Sequence, residues 1–212
     1  MESTDNKILT SIKKCGRGKV YYASQFARFG TPGRVQKAME QLVARGELIR
    51  VARGIYCYPK IDKVYGLGAI APAIEEIAIA IAQKDKSMLA PTGEYAQFVL
   101  GLTQQMPMNV VYLTDGVSRK LTLEGGMTVQ FRRSSPKAFK FRNKTAMLVN
   151  NALRSIGKKN VTEEQLTRIT TILQELNPLS VLQDLDNMPA WIRLIVKKAY
   201  EKVPQPQQNG SA

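Results

Sequence analysis

An α+β chain in two domains is what the sequence predicts, and three observations carry the prediction. Residues 1–60 hold three short stretches of helical apolar spacing followed by two β-prone runs around a turn. Residues 61–142 mix helical stretches with strand alternation, and from Lys144 onward the pattern is helical throughout. The basic excess is uneven: residues 1–60 carry 12 Lys/Arg against 4 Asp/Glu, a net +8 of the chain's +14.

The first helix is read from Ile8, Leu9 and Ile12, with Ser3 and Thr4 as capping candidates and Lys13, Lys14 and Gly16 as a basic last turn and stop. Lys19 to Tyr22 is a short β-prone run. Ser24 opens a second helix through Phe26 and Phe29 that Gly30 ends. Thr31-Pro32 is an N-cap followed by proline at the first helical position, where its missing N–H costs nothing. Val35, Ala38, Met39, Leu42 and Val43 then form the apolar stripe of a third helix closed by Gly46. Glu47–Val51 and Gly54–Tyr58 are strands joined at Ala52-Arg53-Gly54, a turn expected to carry Arg50 and Arg53 at its tip. Helix, helix, helix, basic hairpin is the order of a winged helix-turn-helix, with Lys19–Tyr22 as the third strand of its sheet. A domain boundary is expected at Tyr58-Pro59-Lys60.

The second domain, 61–203, opens with a helix over Pro72–Lys84. Met88–Ala90 is a strand, a helix runs from Pro91-Thr92-Gly93 through Leu102, and Asn109–Thr114 is a strand ending at Asp115-Gly116. Alternation around Leu121 and Leu123, a turn at Gly125-Gly126, and alternation from Thr128 to Arg132 read as a hairpin. Asn177-Pro178 and Met188-Pro189 divide the helical part that follows, and residues 204–212 are polar enough to expect a disordered tail. The fold class is therefore an N-terminal winged helix-turn-helix followed by a mixed α/β domain with a helical C-terminal part.

Composition narrows the function. With no histidine, Ser-His and Cys-His nucleophile pairs, a His-ligated zinc and a histidine general base are excluded. Cys15 and Cys57 lie too far apart for a redox or zinc motif, which fits a reduced cytoplasmic chain. No signal peptide and no membrane partner are expected, since the apolar run Ile77–Ala82 is far short of a span. The basic balance points to a polyanion, with nucleic acid leading.

The polar face of the third helix presents Arg34, Lys37 and Gln41, with Gln36 beside them and Thr31 at its start. On duplex DNA such a helix enters the major groove, its N-terminal residues reach base edges, and wing cations such as Arg50 and Arg53 neutralise phosphates. Lys19, Arg132, Arg133 and Lys137 are secondary candidates, the last three in a basic stretch interleaved with Phe139 and Phe141. The alternative is a compact αααββ domain for protein contacts with a solvated polar face.

The segment Gly18-Lys19-Val20, Phe26, Gly30-Thr31, Val35, Ala38, Leu42 and Gly46-Glu47-Leu48-Ile49-Arg50-Val51-Ala52-Arg53-Gly54-Ile55-Tyr56 resembles the N-terminal domain of the AbiEi antitoxin family. The resemblance implies the antitoxin of a bacterial type IV toxin–antitoxin, or abortive-infection, operon. Such a protein represses its own promoter at inverted repeats and counteracts a nucleotidyltransferase-like toxin without necessarily binding it.

The sequence offers one enzymatic alternative. Glu94, Asp115, Gln130 and Arg132 fall in the order of a metal-dependent nuclease, but Gln130 stands where a carboxylate ligand belongs and Arg132 where a lysine belongs. The expectation is a DNA-binding autoregulator with no catalytic residue, no metal and no cofactor. A degraded nuclease, or an antitoxin acting through direct protein contact, are the alternatives.

Overall fold

The computed structural model describes residues 2–201; the expected tail at 204–212 lies outside them. The fold is α+β, and the chain divides into two compact units. One comprises the residues up to Ser87 together with Lys120–Val129; the other comprises Met88–Arg119 and the residues from Gln130.

The first unit begins with α1 (Thr4–Lys14), β1 (Lys19–Tyr22), a 3-10 stretch (Ala23–Phe29), α2 (Pro32–Ala44), β2 (Ile49–Ala52) and β3 (Ile55–Tyr58). The strands form one sheet in the order β1-β3-β2, which is the winged helix-turn-helix topology. β1 runs antiparallel to β3 with Tyr21 opposite Tyr56, so Lys19–Tyr22 does supply the third strand. The core combines Ile8 and Ile12 of α1, Phe26, the Val35, Ala38, Met39 and Leu42 stripe of α2, Leu48, and the tyrosines Tyr21, Tyr56 and Tyr58. Arg45 beyond the end of α2 ties back to Asp5 of α1 at 2.7 Å. The second expected helix is not α-helical: it is a 3-10 segment interrupted at Phe26 (φ −104°), whose ring is drawn into the core between Tyr21 and Phe29.

The unit does not end at residue 60. Pro59 is followed by a hairpin, β4 (Lys60–Asp62) and β5 (Gly68–Ile70), then by α3 (Ile74–Asp85). The Asp62 carboxylate accepts the N–H groups of Val64, Tyr65 and Leu67 and so fixes the hairpin tip. Glu76 joins strand to helix: one carboxylate oxygen takes the Ala73 N–H and the other pairs with Lys60, both at 2.9 Å. α3 packs against β1, and the Lys84 ammonium lies 4.1 Å from the centre of the Tyr22 ring. Residues Lys120–Val129 complete the unit, with the Glu124 N–H donating to the Val51 carbonyl.

The second unit contains β6 (Leu89–Thr92), α4 (Gly93–Val99), β7 (Asn109–Thr114), most of β9 (Thr128–Arg133), a 3-10 turn (Pro136–Phe139), and α5 (Lys144–Ile156), α6 (Glu163–Gln174), α7 (Pro178–Leu182) and α8 (Ala190–Glu201). β8 (Arg119–Thr122) precedes β9 in the chain, and β6 runs antiparallel to β7 with Leu89 opposite Thr114. The core runs through Ala96, Val149, Leu153, Ile169, Leu173, Ile192 and Val196. One buried carboxylate organises the start of α5. Asp184, 1% exposed, accepts the Arg142 and Asn143 N–H groups, and the Asn143 side chain in turn caps the N–H groups of Thr145 and Ala146. Among the described residues no helix is long and apolar enough to cross a membrane.

Candidate nucleic-acid interface

α2 divides cleanly into two faces. Val35, Ala38, Met39 and Leu42 are buried, while Arg34, Gln36, Lys37, Glu40 and Gln41 are exposed on the opposite side. Thr31 occupies the N-cap position and is exposed, but its side chain makes no cap bond; the Val35 N–H goes to its carbonyl instead. Gln36 is tied to Glu40 by a hydrogen bond of 3.0 Å, the one exposed acid of that face.

Several basic residues of this unit have partners within it. Arg17 donates to the Pro59 carbonyl and stacks 4.4 Å from the Tyr58 ring centre; Arg28 donates to Ser11; Arg45, Lys13, Lys60 and Lys84 have the partners Asp5, Glu47, Glu76 and the Tyr22 ring. Arg34, Lys37 and Arg53 are exposed and make no side-chain hydrogen bond or ion pair with a described residue, and the same holds for Lys19 on β1. Structural duties thus fall on other cations, and the helix face and the turn are left cationic.

The wing differs from its sequence reading at one residue. The turn is only Arg53-Gly54, with Gly54 at φ +73°, a left-handed conformation that favours glycine. Arg50 is not at the tip but inside β2 opposite Tyr56, beside a bulge before Ala52. It is half-buried, with Nε 3.7 Å from the Glu124 carboxylate. The bulge accommodates the extra residue that the turn would otherwise have had to hold, which draws Arg50 back into the strand.

The secondary candidates are split between the units. Arg132 and Arg133 at the end of β9 and Lys137 in the 3-10 turn after it are exposed and line one cavity of about 810 Å³ in the second unit. The sequence reading missed the opposite wall of that cavity, which α5 supplies as Asn150, Asn151 and Arg154. Asn150 and Asn151 are buried polar residues in the midst of Val149, Ala152 and Leu153, and that interruption of an apolar stripe was the available signal. Phe141 packs against the core.

Of the nuclease candidates, Glu94 and Gln130 are exposed, and Asp115 accepts the Met88 N–H at 2.7 Å, a loop-fixing role. Among the described residues no three His, Cys, Asp or Glu side chains cluster in a way that would hold a metal ion. Both cysteines are free; burial pushes the Cys57 thiol up to about 11, so it stays protonated at neutral pH.

The fold and the two-faced helix define a winged-helix α+β protein with a further helical unit. The chain belongs to DUF6088, a family of unknown function, whose match spans residues 7–181. No curated protein matches the chain. Among solved structures it is similar to the RV2827C protein from Mycobacterium tuberculosis at 12% identity and a TM-score of 0.48, over 93% of this chain and 76% of that one.

Proposed function

We propose that this chain is a sequence-specific binder of double-stranded DNA that represses its own promoter, as the cytoplasmic antitoxin of a bacterial type IV toxin–antitoxin operon. The observation that carries the reading is the exposed α2 face, where Arg34 and Lys37 lack partners among the described residues while the opposite face of the same helix is core. In this reading α2 lies in the major groove at inverted repeats, Arg34 reads guanine, and Arg53 and Lys19 contact phosphates. The resemblance of Gly18–Tyr56 to the AbiEi antitoxins supports the operon context and a nucleotidyltransferase-like toxin as the functional partner. No catalytic step is assigned, because Gln130 is neutral and Asp115 is engaged by the Met88 N–H.

Gel shifts on the chain's own promoter test the reading. Arg34→Ala with Lys37→Ala is expected to weaken binding by about tenfold or more; unchanged binding removes α2 as the recognition helix. Incubation of the protein with plasmid and total RNA in Mg²⁺ or Mn²⁺ is expected to leave both intact, and cleavage abolished by Asp115→Ala restores the nuclease.

A second reading, in which the antitoxin holds its toxin directly, has one supporting observation. The β4–β5 tip, fixed by Asp62, exposes Val64, Tyr65 and Leu67 at 79%, 83% and 73%. Co-elution of the chain with the purified product of the adjacent reading frame, lost on Tyr65→Ser with Leu67→Ser, favours that mode.

A further inference from the structure

The cavity of the second unit differs from the α2 face in being concave. Its cations come from the end of β9, from the 3-10 turn and from α5: Arg132, Arg133, Lys137 and Arg154. No Asp or Glu is among its lining residues, and none of the four cations makes a side-chain hydrogen bond or ion pair with a described residue. Like charges turned toward one space repel unless an anion occupies it.

The polar wall is tied within itself. Asn151 donates its amide N–H to the Pro91 carbonyl at 2.9 Å, and a carbonyl can only accept. The Asn151 Oδ1 is therefore the atom facing Asn150, which must donate to it, at 3.2 Å. This chain fixes the orientation of both amides by hydrogen-bond logic. It leaves the Asn150 Oδ1, on a residue only 3% exposed, as a buried acceptor without a partner. That oxygen is closed to the cavity as it is to water, so it selects no ligand. Val111, Phe141 and Met188 add an apolar portion to the lining.

We propose that this cavity binds a nucleoside phosphate, with its phosphates held by Arg132, Arg133, Lys137 and Arg154 and its base or sugar against Val111, Phe141 and Met188. The volume of about 810 Å³ lies within the range of small-molecule sites. Inorganic phosphate satisfies the cations but leaves the apolar wall unused. The site lies in the second unit, so it stands or falls independently of DNA binding by α2.

The test is calorimetric titration of the full-length protein with ATP, GTP, CTP, UTP and inorganic triphosphate. At least one nucleotide is expected to bind about tenfold or more tightly than triphosphate. Arg154→Glu, an exposed substitution, is expected to weaken that nucleotide by about tenfold or more while promoter gel shifts stay within about twofold of wild type. The proposal is overturned if no nucleotide binds, if triphosphate binds as tightly as every nucleotide, or if Arg154→Glu leaves nucleotide binding intact. It is also overturned if Arg154→Glu weakens non-specific duplex DNA as much as nucleotide, since the surface would then serve the nucleic-acid backbone.

Discussion

Arg50 and Arg53 lie on one short hairpin in different environments. Arg53 sits on a turn with no intramolecular partner among the described residues, whereas Arg50 lies in β2 near Glu124. Arg53→Ala is expected to weaken promoter and random duplex alike and to lower the slope of log affinity against log salt by about one; a loss confined to the promoter means that the wing reads bases. Arg50→Ala is expected to change fold stability by no more than about 1 kcal/mol, since its ion pair is partly exposed. A different kind of residue governs the second unit. Asp184 receives two backbone N–H groups in a buried position, so Asp184→Ala strands both donors and is expected to cost about 2–5 kcal/mol in urea unfolding. Asp184→Asn, which keeps one acceptor oxygen, is expected to cost less, and equal losses would show that the effect is packing and not hydrogen bonding.

Among the elements, α2 was legible because its signals are local: proline at the first turn, an unbroken apolar stripe and a closing glycine all agree. The Ala23–Phe29 segment was legible only as helical, because the pull of Phe26 into the core overrides regular turns. The β4–β5 hairpin was read as a break, since its strands are three residues each and its order depends on the Asp62 carboxylate meeting the loop N–H groups. The seam between α1 and α2 gives a pH prediction. Asp5 is held down from the usual 3.8 to about 2, first by a hydrogen bond from Ser3 and then by Arg45. A carboxyl whose folded value is below its unfolded one stabilises fully above the unfolded value and loses that contribution as pH falls through the folded one. Wild type is therefore expected to exceed Asp5→Asn in stability at pH 5 and above, and the gap is expected to close between roughly pH 4 and pH 1. A gap that persists undiminished at roughly pH 1 would assign the effect to helix capping and not to ionisation.

At the scale of the molecule, the second unit's cavity was beyond sequence reading because its walls come from β9, the following turn and α5, which only folding brings together. The division of the chain shows the same limit. Composition suggested a boundary at residue 60, but the first unit runs to Ser87, because α3 supplies the apolar cover that β1 requires: Ile77, Ala78, Ile81 and Ala82 are buried, and Lys84 lies over Tyr22. Burial of each isoleucine side chain contributes on the order of 2 kcal/mol. A fragment cut at residue 60 loses that cover together with the Lys60–Glu76 pair, and one cut at residue 87 keeps both. Each fragment also lacks the hydrogen bond from Glu124 to Val51. The fragment 1–87 is thus expected to unfold cooperatively by circular dichroism. The fragment 1–60 is expected to melt well below it or to show no cooperative transition, with its tyrosine fluorescence already that of an exposed chain. Equal melting temperatures would mean that the three-stranded sheet and its helices are self-sufficient and that α3 only rests on them.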